Sequence, residues 1–301
     1  MSNKVRVAIL GSGNIGSDLA ERLLRSEDFE LVAVAGRRPD SPGLRRLESR
    51  VRFLPHNGLR GLEDSIDEID GFFDATSAAD HRIHWQELSE LKKWVIDLTP
   101  SKVGKATVPV LADAYPTLGY SQDKVANYSM VTCGGQSSAP LIAAMTEGSR
   151  VVTEVEVSSS ISSGSAGPAT RRNIDSYIDS TEGLASRISG AGFAKAMLVL
   201  NPANPPPLMR TTVTLSASAI DLEVVTQRLA SYCAQIQNYV PGFRLAIEPH
   251  FVAHQVVSAT VSVEGQGFFL PRHAGNLDII NSAAVEIARG HAMRVGNLAD
   301  V

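Results

Sequence analysis

A glycine loop near the N-terminus is the first segment whose residue types could carry chemistry. Gly11-Ser12-Gly13-Asn14-Ile15-Gly16 has GxGxxG spacing, follows a short apolar run and precedes a segment with helical periodicity. In that setting the first glycine permits a tight turn, the second lets a pyrophosphate approach the backbone, and the third allows close helix–strand packing. The helix N-terminus would add partial positive charge. The loop therefore predicts a bound dinucleotide, and the alternative is a glycine-rich turn without a ligand.

Two arginines, Arg37 and Arg38, follow the second apolar run and bear on the choice of dinucleotide. NAD-binding proteins carry an acidic residue at this point, where it binds the ribose 2′-hydroxyl. Arginines would instead suit a 2′-phosphate through charge and bidentate hydrogen bonds. We therefore expect NADP to be accepted, with the choice between NAD and NADP open. The alternative is a pair of solvated surface arginines.

Cys133 is the second candidate for chemistry. It lies where Met130-Val131-Thr132 meets Gly134-Gly135 and then a helix-like segment through Met145. A thiol at a helix N-terminus is expected to have a lowered pKa. The glycines would leave room for a substrate and direct backbone N–H groups at a developing oxyanion. The alternative is a buried structural cysteine, a description that fits Cys233 in its helical context.

The first third of the chain supplies the elements that must hold the glycine loop. Apolar runs there predict buried parallel strands, and the segments between them have helical periodicity. The strands are expected at Val5 to Leu10, Leu31 to Ala35, Gly71 to Asp74 and Trp94 to Asp97, with helices over Ser17 to Arg25 and around Trp85 to Leu91. This alternation predicts an α/β fold with a Rossmann dinucleotide-binding domain.

The pattern changes after Cys133, where antiparallel strands mixed with helices predict a second, α+β domain. Strands are expected at Val151 to Ile161, Leu208 to Ser216 and Val256 to Val263, and helices at Thr170 to Ile188, Leu222 to Gln235 and Leu277 to Ala292. The last helix could return to the first domain. We predict a Rossmann domain over residues 1–132 with 275–301, and an α+β domain over 133–274.

Composition excludes several classes of function. The 301 residues carry a net charge of -4, so the basic footprint of a nucleic-acid-binding protein is missing. No apolar run reaches membrane-spanning length, and the N-terminus lacks the pattern of a signal peptide, so we expect a cytoplasmic protein without a membrane partner. The two cysteines form neither a disulfide framework nor a CxxC metal motif.

Further motifs bring the sequence close to a known family. Besides the glycine loop they are Phe73-Asp74-Ala75-Thr76-Ser77-Ala78, Ile96-Asp97-Leu98-Thr99-Pro100, Met130-Val131-Thr132-Cys133-Gly134-Gly135-Gln136, Ser160-Ile161-Ser162-Ser163, Ser165-Ala166-Gly167-Pro168, Asn173-Ile174-Asp175 and Ala274-Gly275-Asn276-Leu277-Asp278-Ile279. From about Val5 to Ala292 the chain resembles the acylating acetaldehyde dehydrogenases, the partners of 4-hydroxy-2-oxovalerate aldolase in bacterial aromatic degradation.

The resemblance implies a CoA-acylating dehydrogenase acting on a short aldehyde such as acetaldehyde. In the family pattern Cys133 attacks the aldehyde to give a thiohemiacetal, hydride passes to the nicotinamide, and coenzyme A takes over the acyl-thioester. A thiolate suits this route because it is a good nucleophile and a good leaving group. The implied cofactor contacts are Ser12, Gly13, Asn14, Ile15, Ser163, Gly164, Ser165, Ala166, Gly167, Pro168, Ala169, Thr170, Arg171 and Asn276. The central domain is implied to be catalytic and to form a homodimer.

Three features depart from the family pattern. Thr211 replaces an aspartate that is thought to assist the cysteine, and a threonine lacks its charge and basicity. The stretch between Arg244 and Val256 is shorter, which leaves the aldolase partnership open because loops carry partner contacts. His273 stands where the family often has tyrosine. It could act as a catalytic acid/base, since histidine titrates in the working range, or simply lie at the surface or cofactor edge.

Two alternatives to this function remain open. A related enzyme could act on a different aldehyde or thioester, in the reductive direction of a biosynthetic pathway. A dinucleotide-binding partner subunit could have lost catalysis, which Thr211 favours and the intact Cys133-Gly134-Gly135 opposes. His81 and His84 are expected to flank the cofactor cleft, and without a third ligand they predict no metal site.

Overall fold

The computed structural model describes residues 4–298, with the backbone alone for Pro168 and Ala169. The chain forms two compact units. The first unit comprises the residues up to Met130 together with those from Ala284 onward, and the second unit is Val131–Ala283. The roles and boundaries predicted for two domains, 1–132 with 275–301 and 133–274, stay a prediction.

The first unit is built on a six-stranded sheet with the order β2-β1-β3-β4-β6-β5, in which every pairing is parallel. Its strands are β1 Val5–Leu10, β2 Phe29–Ala35, β3 Gly71–Asp74, β4 Trp94–Asp97, β5 Lys105–Thr107 and β6 Asn127–Met130. Its helices are α1 Asn14–Leu23, α2 Pro42–Arg45 and α3 Ala78–Glu90, with 3-10 turns at Gly58–Glu68, Pro109–Leu111 and Pro116–Leu118. The predicted α/β fold class is confirmed.

The core of the first unit shows why these segments became strands. Their apolar side chains are buried on both faces of the sheet, as the near-continuous apolar runs predict. The last helix, α8 Gly275–Arg294, adds small side chains to this core from its second half. They are Ala284, Ala288 and Ala292, with Ile287 between them. The conjecture that this helix returns to the first domain is thus supported by its packing.

The second unit is built on a five-stranded sheet with the order β10-β11-β9-β7-β8. Its strands are β7 Ser149–Ser162, β8 Phe193–Asn201, β9 Met209–Ile220, β10 Phe243–Ala253 and β11 Val256–Val263. Its helices are α4 Cys133–Glu147, α5 Pro168–Arg172, α6 Ile174–Ser189 and α7 Leu222–Gln237, with a 3-10 turn at Ser163–Ser165. Helices α4, α6 and α7 pack against the sheet. No helix among residues 4–298 has the length and apolar character needed to cross a membrane.

Several elements differ from the sequence-based expectation. The helix predicted from Thr170 to Ile188 is two helices separated at Asn173. Strands β5, β6, β8 and β10 were not predicted, because they are short or expose alternate positions that weaken an apolar pattern. The sheet of the second unit is mixed rather than antiparallel, since β8 pairs parallel to β7 after the helical crossover.

Candidate functional site

The three glycines of the N-terminal loop have three different surroundings. Gly11 has φ +105°, and a Cβ there would lie 2.6 Å from the Ala75 carbonyl oxygen. A Cβ on Gly16 would lie 1.9 Å from the Gly11 carbonyl oxygen, whereas a Cβ on Gly13 would meet nothing within 4 Å. Gly13 is also the N-cap of α1. The backbone at Gly13 is therefore open to a ligand, which fits a pyrophosphate at the helix N-terminus.

A cleft of about 990 Å³ in the first unit opens beside this loop. Its size is at the upper end of the range for small-molecule sites. Of the residues predicted to bind cofactor, those that line the cleft are Ser12, Gly13, Arg37 and Arg38. Asn14 and Ile15 lie in the first turn of α1. The Ser12 hydroxyl is hydrogen-bonded to that of Ser41 at 2.7 Å, which fixes the loop against the segment before α2.

Arg37 and Arg38 are largely exposed at the cleft, with side-chain exposures of 81% and 71%. Arg37 Nη1 lies 3.8 Å from Asp80 Oδ2, and Arg38 Nε lies 3.4 Å from Asp40 Oδ1. Exposed pairs of this kind contribute little to stability. The guanidinium groups thus keep N–H donors for a phosphate, and a solvated pair of arginines has the same geometry.

A buried carboxylate network lies at the carboxyl ends of β3 and β4. Asp74 Oδ2 is 3.0 Å from His81 Nδ1 and 2.8 Å from His84 Nδ1, and its Oδ1 accepts the backbone N–H and the hydroxyl of Thr76. Burial alone would raise the pKa of Asp74, but the hydrogen bonds from His81, His84 and Thr76 together lower this pKa to about 2. His84 and Thr76 also line the cleft. The predicted position of His84 beside the cleft is therefore observed, and the network supports the cleft wall.

His81 lies between two buried carboxylates whose pKa values are shifted in opposite directions. The Asn127 Nδ2 lies 3.0 Å from His81 Nε2, and His81 Nδ1 lies 3.0 Å from Asp74 Oδ2. Asp97 Oδ2 is farther from His81 Nε2, at 3.5 Å. Burial raises the pKa of Asp97 despite hydrogen bonds from Ser101 and Thr99. No group of three His, Cys, Asp or Glu within residues 4–298 is arranged to hold a metal.

Cys133 is the first residue of α4, directly after the N-cap Thr132, whose hydroxyl accepts the Gly135 N–H at 2.8 Å. The residue as a whole is partly exposed, whereas its sulfur is buried. Burial raises the pKa of Cys133 to about 11, against opposing hydrogen bonds from the Gly134 backbone, Tyr177 and its own backbone. The expected lowering of this pKa is therefore wrong, because desolvation of a thiolate outweighs the helix N-terminus.

The surroundings of the two glycines after Cys133 also differ from the expectation. A Cβ on Gly134 would lie 1.9 Å from the Tyr177 hydroxyl oxygen, and a Cβ on Gly135 would lie 2.9 Å from Leu184 Cδ2. Side chains of α6 fill the space beside both glycines, so this space is not available to a substrate. Glycine is required at 134 because the Tyr177 hydroxyl lies there.

A buried set of hydroxyls connects α4 to the sheet beneath Cys133. The Thr211 hydroxyl is 2.7 Å from that of Ser137 and 3.1 Å from that of Ser159. Strand register places Ser159 on β7 opposite Thr211 on β9. Ser137 in turn donates to the Cys133 and Gly134 carbonyls. Sequence analysis identified Thr211 and missed the rest, since only strand pairing and helix packing bring them together.

The predicted cofactor loop at 163–171 and Asn276 come together in the second unit. Arg171 donates to the Ser163 carbonyl and hydroxyl at 2.8 and 2.9 Å and to the Ala166 carbonyl at 3.1 Å, which closes the loop on itself. Asn276 Nδ2 donates to the Ser165 carbonyl at 3.4 Å. The buried Asn276 Oδ1 has no hydrogen-bond partner among residues 4–298. That oxygen is available to an N–H donor of a ligand.

The other predicted residues of the loop occupy defined positions. Gly164 lies in the 3-10 turn, Gly167 is the N-cap of α5, and Pro168, Ala169 and Thr170 belong to α5. His273 is partly exposed before α8 and forms no hydrogen bond with the described part of the chain, Cys133 included. Its role as acid/base stays a prediction.

Solved structures with a similar fold are semialdehyde dehydrogenases. Aspartate semialdehyde dehydrogenase with NADP from Candida albicans matches with a TM-score of 0.63 at 11% identity, over 97% of this chain and 100% of that one. Aspartate semialdehyde dehydrogenase II complexed with ASA from Vibrio cholerae matches with a TM-score of 0.60 at 14% identity, over 96% and 98%. Identities this low show the fold alone.

Sequence relatives are more specific. Residues 133–271 match the family model of the prokaryotic acetaldehyde dehydrogenase dimerisation region. Acetaldehyde dehydrogenase of Pectobacterium atrosepticum is 42% identical over 287 residues, which are 95% of each chain. That of Spirochaeta aurantia is 43% identical over 288 residues, 96% of this chain and 95% of the other. The resemblance found in the sequence motifs is confirmed, and the chain belongs to the acetaldehyde dehydrogenase family.

Proposed function

We propose that this protein is a CoA-acylating aldehyde dehydrogenase that converts a short aldehyde such as acetaldehyde to an acyl-CoA with NAD or NADP. The observation that carries the proposal is the position of Cys133 as the partly exposed first residue of α4, in a chain of this family. A cysteine there has backbone N–H groups around its sulfur, and a thiol is a suitable nucleophile and leaving group for covalent acyl transfer.

The residues of the second unit account for the covalent steps. The Cys133 sulfur forms a bond to the aldehyde carbon, and the carbonyl oxygen takes up a proton to give a thiohemiacetal. The backbone N–H groups of Cys133 and Gly134 lie at the sulfur, where charge changes during attack. After oxidation, the CoA thiolate attacks the thioester carbon, and the Cys133 sulfur leaves with the electron pair. We propose His273 as the group that moves the proton, and His273→Ala with unchanged turnover would exclude this role.

We propose that the glycine loop of the first unit binds the dinucleotide. Contact of the 163–171 loop and Asn276 of the second unit with the cofactor stays a prediction. When bound, a nicotinamide dinucleotide accepts the hydride lost by the thiohemiacetal carbon. The open backbone at Gly13 suits the pyrophosphate, and the unpaired Asn276 Oδ1 suits an N–H donor. The Gly13 backbone has open space beside it, and Asn276 Oδ1 can still accept a hydrogen bond.

The test is the intact mass of the protein after incubation with a series of acyl-CoAs. We expect one acyl group to be added to Cys133 and a matching amount of free CoA to be released. Cys233→Ala should still be acylated and Cys133→Ala should not, and the chain length that reacts fastest names the substrate. Steady-state rates over an aldehyde series, with and without CoA, then separate acetaldehyde from other aldehydes and give the favoured direction.

Cofactor choice is tested by the ratio of kcat/KM for NADP and NAD. If Arg37 and Arg38 bind a 2′-phosphate, the double change to alanine should lower kcat/KM for NADP about tenfold, the worth of one charge-assisted pair, and leave that for NAD unchanged. Equal losses with both cofactors, or none, would mean that these arginines are only solvated surface residues.

The alternative of a non-catalytic dinucleotide-binding subunit is favoured by the raised pKa of Cys133, which burial brings to about 11, and by the uncharged Thr211 beside Ser137 and Ser159. It predicts dinucleotide binding without acylation of Cys133 by any acyl-CoA. Acylation in the experiment above would exclude it.

We also propose a homodimer formed through the second unit. The matched dimerisation region covers 133–271, and apolar side chains are exposed on its strands. They are Phe193, Met197 and Val199 on β8 and Ile247, Phe251 and Val252 on β10. Light scattering after gel filtration should give twice the chain mass. Co-purification with a 4-hydroxy-2-oxovalerate aldolase would test the further partnership.

A further inference from the structure

We propose that Tyr177 is a catalytic residue that donates a hydrogen bond from its hydroxyl to the Cys133 sulfur when that sulfur is a thiolate. The inference rests on the proposed function, in which Cys133 is the nucleophile. It assigns the stabilisation of the nucleophile to a neutral side chain of α6, because no carboxylate or imidazole among residues 4–298 is hydrogen-bonded to the hydroxyls of Ser137, Ser159 and Thr211.

The first step of the argument is the position of the Tyr177 hydroxyl. It lies over the first turn of α4, at 1.9 Å from where a Gly134 Cβ would be, with the Ser159 hydroxyl 2.8 Å from the same point. Gly134 follows Cys133 directly, so the phenol oxygen is held beside the reactive residue. Tyr177 is buried, and its hydroxyl is close enough to the thiol to lower the pKa of Cys133 against the effect of burial.

The second step is a count of protons in the hydroxyl set, since each hydroxyl donates once. Ser137 donates to the Cys133 and Gly134 carbonyls, at 3.0 and 3.1 Å, because carbonyls only accept. The 2.7 Å contact of Ser137 with Thr211 must then be donated by Thr211, and the 3.1 Å contact of Thr211 with Ser159 must be donated by Ser159. The Ser159 oxygen is left as an acceptor.

The third step concerns the remaining proton, that of Tyr177. The acceptors near it are the Ser159 hydroxyl and the Cys133 thiol, and the Tyr177 hydroxyl meets the criteria for a hydrogen bond with neither in the described structure. A buried donor without a firm partner will favour the stronger acceptor. A thiolate is a stronger acceptor than a hydroxyl because it is charged. The Tyr177 proton will therefore turn to the sulfur once the thiol has ionised.

The same count excludes these hydroxyls as the base. The series ends at peptide carbonyls, which cannot take up a proton at working pH, so no proton can leave Cys133 along it. The S–H bond breaks with the electron pair on sulfur and the proton passing to solvent hydroxide or to a base outside this set. Tyr177 keeps its own proton throughout. Cys133 and Tyr177 are the two titratable members, and within the described part of the chain the groups that lower the pKa of the thiol are backbone N–H groups and Tyr177.

The test is the rate of alkylation of Cys133 by iodoacetamide between pH 7 and 10, followed peptide by peptide with mass spectrometry. Tyr177→Phe removes only the hydroxyl, and we expect the Cys133 rate to fall about tenfold at each pH, the worth of one hydrogen bond to a charged group. Cys233 in the same chain is the matched control, because burial raises its pKa to about 11 as well. Its rate should not change.

A second variant gives an effect of opposite sign. Ser159→Ala removes the competing acceptor for the Tyr177 proton, so the Cys133 rate should rise about two- to threefold, a share of one weak neutral hydrogen bond. A fall in both variants, or an unchanged Cys133 rate in Tyr177→Phe with Cys233 unchanged, would overturn the proposal. Should wild-type Cys133 accept no acyl group from any acyl-CoA, the proposed function fails, while the alkylation rates still decide whether Tyr177 stabilises the thiolate.

Discussion

The two units each bury a polar network near a predicted site, and the two networks differ in charge. In the first unit, Asp74 carries a full charge and accepts from His81, His84 and Thr76. In the second unit, the network beneath Cys133 consists of hydroxyls. A carboxylate with several donors is stable when buried, whereas a thiolate with few donors is not. This explains why the pKa of Asp74 is lowered to about 2 while that of Cys133 is raised to about 11.

The difference suggests a division of labour. The charged network is structural: it fixes the ends of β3 and β4 and the wall of the cleft. The neutral network offers no charge to offset the burial of Cys133, whose pKa is raised to about 11, so the reactivity of this thiol should depend on pH. The comparison predicts that the first network contributes more to stability and the second more to the pH dependence of reactivity.

The largest effect is expected for Asp74→Asn. The amide would present N–H donors to the N–H groups of His81 and His84 and would lose the charge they stabilise. We expect the free energy of unfolding to fall by about 3 kcal/mol, as for other broken buried networks, measured by urea denaturation. Asp40→Asn is the control, because Asp40 is exposed and paired only with Arg38. If both substitutions lower the free energy of unfolding by the same amount, the network around Asp74 does not stabilise the first unit.

A smaller loss of stability is expected when the pH is lowered. The pKa of Asp74 lies below its ordinary value, at about 2, so its stabilisation is complete above about pH 4 and is lost as the pH falls through 2. The loss should amount to about 2 kcal/mol. Burial lowers the pKa of His291 to about 4, so that residue removes stability earlier, between about pH 6.5 and 4. Urea midpoints of Asp74→Asn should decline less than those of the wild type between pH 4 and 2, where Glu21, whose pKa is also about 2 because of Arg50 and Arg25, still contributes. The earlier decline should be unchanged.

The smallest effect on stability is expected for Thr211→Val, which removes one hydroxyl from the neutral network without changing shape. We expect a loss of about 1 kcal/mol, since Ser159 and Ser137 each lose one neutral hydrogen bond. Thr153→Val, at an exposed position of β7, is the control. A loss as large as that of Asp74→Asn would contradict the comparison, and it would mean that the hydroxyls hold the second unit together.

Sequence patterns predicted those parts of the fold whose cause is local. Apolar runs correctly predicted the first and last residues of β1, β3 and β4, because a strand buried on both faces needs apolar side chains throughout. Strands β8 and β10 were not predicted, because they expose much of their length and so lack a continuous apolar run. The break between α5 and α6 at Asn173 was also not predicted, since helical periodicity in the sequence continues across it.

For the candidate site, the sequence by itself determined the glycine loop and the start of α4 at Cys133. Positive φ at Gly11, the open backbone at Gly13 and the Thr132 N-cap are properties of short segments. The tertiary structure alone decided the environment of the thiol. Its desolvation and the hydroxyl of Tyr177 come from other elements, and a pKa depends on every group within a few ångströms, however distant along the chain.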